Sequence, residues 1–140
     1  MSEKIRVAIV EDHEIFRNGL QTILNKIDQV KIVASAANGK DFLDFIKNIE
    51  ADIVLMDIKM PVMDGIDATR KSLEIKPDLK VIALSMFGDE EYLQKMIQAG
   101  AKGFLLKNIT RKDLSRAIDV VFNGSNYYSE ELLGFFTRKY

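Results

Sequence analysis

Apolar positions fall into short unbroken runs separated by stretches of helical periodicity. Val7-Ala8-Ile9-Val10, Ile53-Val54-Leu55-Met56, Val81-Ile82-Ala83-Leu84 and Gly103-Phe104-Leu105-Leu106 show no polar alternation, the pattern of strands covered on both faces. The first of these strands spans about residues 5–10, and a further strand reads Val30 to Ala36. Between them Phe16, Leu20, Ile23, Leu24 and Ile27 recur at helical spacing. Asn38-Gly39 turns the chain into a helix carrying Phe42, Leu43, Phe45 and Ile46. A helix is predicted from about Gly65 to Ile75, stopped by Lys76-Pro77. Another starts near Asp89, which with Gly88 makes an N-cap, and closes at Ala99-Gly100 with Gly100 left-handed. Thr110 caps a last helix whose Leu114, Ala117, Ile118, Val121 and Phe122 form one stripe. Five strand–helix alternations predict one α/β domain, a parallel sheet with helices on both faces.

What terminates the runs carries the chemistry. The first leads into Glu11-Asp12, the third-strand run into Asp57, the fourth into Ser85 and the fifth into Lys107. Carboxyl ends of parallel strands are where open α/β sheets place their sites. Three carboxylates converging within about 5 Å repel by roughly 3 kcal/mol per pair at an effective dielectric near 20, a cost that a cation removes. Oxygen donors without cysteine or a histidine cluster favour a hard ion, and few carboxylates plus water suit Mg²⁺. A metal beside a carboxylate bridges to a phosphoryl group, and carboxylates form acyl phosphates. Lys107 is then the counter-charge for one phosphoryl oxygen and Ser85 a hydroxyl donor to another.

Composition narrows the setting. The 140 residues are 47% hydrophobic and 29% charged, with net charge -1, so no basic field points to nucleic-acid binding by this chain itself. There is no cysteine, which excludes a disulfide framework and thiolate metal sites. Met1-Ser2-Glu3-Lys4 lacks a signal-peptide core and no apolar run reaches membrane-spanning length, so a cytoplasmic location is expected.

These strand-end residues, with Met60-Pro61 and Asp64-Gly65, resemble the receiver domain of two-component response regulators over about residues 4–122. The resemblance implies a flavodoxin-like, doubly wound five-stranded parallel sheet of order 2-1-3-4-5 with five flanking helices. It implies that Asp57 accepts phosphate from a sensor histidine kinase in a Mg²⁺-dependent reaction. Glu11, Asp12, Asp57 and the backbone carbonyl of Lys59 would hold the metal. Ser85 and Lys107 would contact the phosphoryl group, and Ser85 with Phe104 would form the switch. Phe104 lacks the hydroxyl of the tyrosine often found there, so ring burial is left to carry its part. Such a domain is a phosphoacceptor, with at most slow self-catalysed phosphorylation and dephosphorylation, rather than an enzyme. Ser85-Met86-Phe87, Lys107-Asn108 and Asn123-Gly124 followed by Tyr127-Tyr128-Ser129 are similar to the LuxR/NarL branch, in which the receiver precedes a helix-turn-helix DNA-binding domain. No such domain lies within these residues, so transcriptional output and DNA contact are expected through a domain outside this chain.

Two competing readings follow from the same residues. A Mg²⁺-dependent phosphatase with an aspartate nucleophile usually has a second acid two residues on, where this chain has Lys59. A flavodoxin-like cofactor binder needs a phosphate loop after the first strand, where Glu11-Asp12 would repel phosphate. His13, the sole histidine, is expected to be exposed at the start of the first helix, and Met86 and Phe87 to flank the pocket. Residues 123–140 are expected to form a linker: Asn123–Asn126 a loop, then a short helix capped by Ser129 and bearing Leu132, Leu133, Phe135 and Phe136. That helix is too apolar for water, so it docks back on the domain, leads to an output module, or pairs with a second chain in a homodimer.

Overall fold

Every strand of the sheet runs in the same direction. The computed structural model describes residues 3–86, 89–130 and 132–133. Its elements are β1 (Ile5–Val10), α1 (Glu14–Asn25), β2 (Val30–Ala36), α2 (Gly39–Ile46), β3 (Ile53–Asp57), α3 (Gly65–Ile75), β4 (Lys80–Ser85), α4 (Glu90–Ala99), β5 (Gly103–Leu106), α5 (Arg111–Phe122) and β6 (Tyr127–Tyr128). The strands are ordered 2-1-3-4-5-6. The flavodoxin-like doubly wound arrangement is as the sequence predicts, with one strand more.

The missing polar alternation has a direct cause. Successive residues of the central strands feed two separate apolar layers. Ala8, Val10, Val54, Met56, Val81, Ala83, Phe104 and Leu106 pack with Phe42, Ile46, Ala68, Leu93 and Met96 from α2, α3 and α4. Val7, Ile9, Ile53, Leu55, Ile82, Leu84 and Leu105 pack with Leu20 and Leu24 of α1 and Leu114, Ile118 and Val121 of α5. A strand buried on both faces has no solvent side to mark with polar residues.

Local signals mostly hold. Asn38, Asp64 and Thr110 cap their helices by accepting from the amides of Asp41, Asp67 and Asp113. Gly100 is left-handed at φ 114. Asp89 departs from its expected role, because it stands at the start of α4 but its side chain caps nothing there. Phe45 also departs, lying exposed while Phe42 and Ile46 fill the core.

The main difference lies after α5. Tyr127 and Tyr128 form a sixth strand, parallel to β5 and paired with Gly103 and Phe104. A two-residue strand has no periodicity to read, so its sequence looks like loop. It exists because α5 returns the chain to the sheet edge, so that the fifth strand–helix pair is completed into a βαβ unit. Glu130, Leu132 and Leu133 are helical, and Leu132 is buried in the layer that holds Phe104. The tail therefore docks on this domain over the residues described; Phe87, Gly88, Phe135 and Phe136 lie outside them.

Candidate functional site

β1 sits between β2 and β3, so the helices leaving β1 and β3 diverge to opposite faces and open a crevice at the strands' carboxyl ends. Glu11 follows β1 directly and is fully buried. Its N–H donates to the Ala36 carbonyl (3.0 Å), and its carbonyl accepts from Arg17 Nη1 (2.6 Å). Asp57 is the last residue of β3 and only 3% exposed. Lys107 follows β5, and its N–H donates to the Ser85 carbonyl (2.9 Å). Its Nζ reaches into the crevice, 3.1 Å from Asp57 Oδ1 and 3.1 Å from each Glu11 carboxylate oxygen. One ammonium therefore serves two buried carboxylates contributed by β1 and β3.

That pairing leaves a deficit. Among the described residues, the buried side-chain atoms without a hydrogen-bond partner are Glu11 Oε2, Asp12 Oδ1, Asp57 Oδ2 and Thr69 Oγ1, although Glu11 Oε2 keeps its ion pair with Lys107 and Asp12 Oδ1 lies 3.2 Å from His13 Nδ1. Three of these four belong to the acid cluster, so acceptors short of hydrogen-bond donors are concentrated where the sequence places the metal. One ligand atom each from Glu11, Asp12, His13 and Asp57 lies within 4.8 Å of the others. Hard, unsatisfied carboxylate oxygens fit a hard divalent cation such as Mg²⁺.

Electrostatics follow from burial. Desolvation first, and the Glu11 charge second, push the Asp57 carboxyl up to about 8 against the pull of Lys107. Burial alone would lower Lys107, but Asp57 and Glu11 together outweigh it and hold the ammonium above its usual range. Burial and the Glu11 charge thus oppose ionisation of Asp57, whereas a bound cation would favour the ionised carboxylate.

The remaining residues fall on the rim or turn away from it. Ser85 is buried, and its hydroxyl donates to the Leu105 carbonyl (3.4 Å). Phe104 is already buried at 1%, with Tyr128 stacked on it at 5.2 Å and 2° between ring planes. An exposed-to-buried swing of Phe104 is thus not available from this state, and any change must instead alter its contact with Tyr128. Lys59 lines the same cleft, and its side chain leaves the acids to pair with Asp89 (3.1 Å) and lie over the Tyr92 ring (4.7 Å). Met86 is exposed on the rim, as expected. The cleft has a volume of about 570 Å³ and is further lined by His13, Ile15 and Phe16.

Sequence reasoning missed four contributors. His13 is exposed as expected, yet its Nδ1 lies 2.9 Å from Glu11 Oε1 and its N–H donates to the same oxygen (3.1 Å). Its place directly after the acidic pair was the available signal. Asp89 is buried and accepts from the Met86 N–H (3.0 Å), bracing the β4–α4 connection. Arg17 bonds backbone, which leaves no mark in sequence. Gly65 matters because a Cβ there would collide with the Asp57 carbonyl oxygen. Its own N–H donates to the Ile58 carbonyl (2.7 Å), so the loop after β3 folds tightly over the phosphoacceptor candidate.

Comparison with known proteins gives a consistent picture. The family "Response regulator receiver domain" matches residues 7–119. Response regulator GacA of Pseudomonas viridiflava is 37% identical over 128 residues, covering 91% of this chain and 60% of that protein. Transcriptional regulatory protein DegU of Brevibacillus brevis is 36% identical over 124 residues, covering 89% of this chain and 52% of that one. The chain therefore spans little more than half the length of these relatives. Among solved structures, the signal receiver domain of response regulator NarL from Mycobacterium tuberculosis superposes with TM-score 0.82 at 32% identity, covering 88% of this chain and 99% of that one. A LuxR-family two-component response regulator from Aurantimonas superposes with TM-score 0.91 at 25% identity, covering 98% of both chains.

Proposed function

The chain belongs to the response regulator receiver domain family, and from that premise we propose that it is a phosphorylation-driven signalling switch with Asp57 as phosphoacceptor. The observation that supports this most directly is the convergence of Lys107 Nζ on Asp57 and Glu11 at 3.1 Å, beside the buried Asp57 Oδ2, which has no hydrogen-bond partner. Phosphoryl transfer breaks the N–P bond of a phosphohistidine on a sensor kinase and forms an O–P bond to an Asp57 oxygen. The electron pair of the broken bond stays on the imidazole nitrogen. A bound Mg²⁺ would supply charge neutralisation for the carboxylates and the incoming phosphoryl group. Asp12 and Asp57, with Glu11 and the Lys59 carbonyl, are the residues to hold it.

The protein's own groups do the rest. Lys107 moves from carboxylate to phosphoryl oxygen without leaving the crevice. Ser85 gives up the Leu105 carbonyl to donate to a second oxygen. Shifting a two-state switch from 1:99 to 99:1 takes about 5.5 kcal/mol of discrimination, and one charge-assisted hydrogen bond contributes about 1.5–3 kcal/mol. Ser85 and Lys107 are therefore both required. The output is transcriptional, through a DNA-binding domain outside residues 1–140, and the domain acts in the cytoplasm. Homodimerisation on phosphorylation is part of the same reading.

Incubation with acetyl phosphate and Mg²⁺, followed by intact mass, tests this. A single hydroxylamine-labile adduct on the native chain and none on Asp57→Asn is the expected result. Undiminished labelling of Asp57→Asn removes the central claim. Continuous phosphate release over many turnovers points instead to the phosphatase reading, against which Lys59 already stands.

A further inference from the structure

The peptide group joining Leu105 to Leu106 is bonded on both sides by serine hydroxyls. Its carbonyl accepts from Ser85 Oγ at 3.4 Å, and its N–H donates to Ser129 Oγ at 3.1 Å. Ser85 ends β4, one residue before the cleft-lining Met86, whereas Ser129 follows β6 in the tail. The two hydroxyls lie on opposite edges of β5, one peptide before Lys107. All the dipoles along Ser85 O–H, Leu105 C=O, Leu106 N–H and Ser129 Oγ point the same way. A donor on the carbonyl polarises the amide and strengthens the next bond, so the two bonds are mutually supporting.

Ser129 is tied in further. Its N–H donates to the Phe104 carbonyl at 2.8 Å, so it clamps β5 on both sides of Leu105. Next to it, Tyr128 stacks on Phe104 at 5.2 Å, and Leu132 is buried in the same layer. We infer that Ser129 is a positioning residue of the switch: it senses Ser85 through the Leu105–Leu106 peptide, so the tail is held firmly while Asp57 is bare and loosens when Ser85 turns to a phosphoryl group. The inference rests on the reading of Ser85 as the hydroxyl that engages phosphate. It adds the route by which that event leaves the domain, from Ser85 through one peptide to the segment 127–133 that continues beyond the receiver fold.

Coupling of this kind is reciprocal. If phosphate loosens the tail, loosening the tail favours the phosphate-bound state. Hydrogen exchange of the full chain and titration with beryllofluoride plus Mg²⁺, as a phosphoryl mimic, read both directions. Beryllofluoride should speed exchange at the Leu106 and Ser129 amides by about tenfold, because these are local openings of the clamp. Ser129→Ala should tighten beryllofluoride binding by about two- to fivefold, and Ser129→Thr, which keeps the hydroxyl, should restore the native affinity. A merely structural serine would weaken binding or leave it unchanged when removed, and either result overturns the inference. The ¹⁹F signal of bound beryllofluoride reports the Asp57 site separately. If none appears, the phosphoacceptor reading fails, and Ser85→Ala without any ligand decides the coupling alone. That variant should raise Leu106 exchange by about twofold or more; unchanged exchange there overturns it.

Discussion

The two ends of β5 are built on opposite rules. At Lys107 the chain meets a crevice where one ammonium is shared by Glu11 and Asp57 and buried carboxylate oxygens, Asp57 Oδ2 above all, are short of hydrogen-bond donors. At Phe104 it meets β6, where Ser129 uses both its N–H and its hydroxyl on β5 and two aromatic rings lie parallel. Buried acceptors without partners cost about 1–3 kcal/mol each, so the first region gains stability from whatever fills it. The second is satisfied and resists change. A short strand joining a strained receptor to a satisfied latch is suited to convert local chemistry into a release.

The sharpest way to break the first region is steric. Gly65→Ala places a methyl against the Asp57 carbonyl, so the loop after β3 must move. Destabilisation of about 3 kcal/mol or more is expected, with loss of labelling by acetyl phosphate, measured by urea unfolding and intact mass. In the second region, Leu132→Ala removes a side chain that is 1% exposed. It should cost about 2–4 kcal/mol in the same unfolding assay, while the anomalous Asp57 titration, followed by carboxyl NMR, persists. Equal loss of that titration would mean the two regions are not separable.

Charge gives a smaller and signed effect. The Asp57 carboxyl stands at about 8 in the folded protein against an ordinary 3.8. The folded state therefore holds the proton more tightly than the unfolded chain, and its contribution to stability is fully present below pH 3.8 and lost as pH climbs to about 8. Asp57→Asn abolishes that loss. In metal-free buffer at pH 8 it should be more stable than the native chain by about 1–2 kcal/mol, with the gap closing toward pH 4. Mg²⁺ should narrow the gap too, since it favours the ionised carboxylate, and its affinity should rise with pH up to about 8. The smallest change concerns Val62, a β-branched residue at φ 72 and 79% exposed in the loop over Asp57. Val62→Gly relieves that strain and should raise the urea midpoint by about 0.5–1 kcal/mol in stability.

The same contrast explains what was legible in the sequence. Glu11, Asp57, Ser85 and Lys107 stand out because each interrupts a run that is apolar for burial on both faces. A polar residue at such a point has few structural excuses, and topology then brings the interruptions together. Helix bounds were readable where a side chain closes a backbone bond, as at Asn38, Asp64 and Thr110, or where a left-handed glycine ends the helix, as at Gly100. β6 was not, because two tyrosines after a four-residue loop have no period and their pairing is set by α5 returning the chain to an open edge. Ser129 does stand at the start of the last helical turn, its carbonyl accepting from the Leu132 N–H, but its further bonds to β5 were not legible for the same reason: those partners are backbone groups of a strand far back in the chain. Nor does a list of residues show that Phe104 is already covered, since the covering ring comes from that unseen strand.

The added strand also has a consequence for how the protein behaves in a crowd. Sheet margins whose amides and carbonyls are free recruit strands from other molecules. In this chain the Leu106 amide and the Phe104 carbonyl, both on the outer margin of β5, are consumed by Ser129, and Tyr127–Tyr128 occupy the rest of that margin. A version cut at Phe122 would keep all five expected strands and every residue of the acid cluster, yet expose that sticky flank. It should self-associate as its concentration rises, and the shortest chain that stays apart from its neighbours is one that retains the serine.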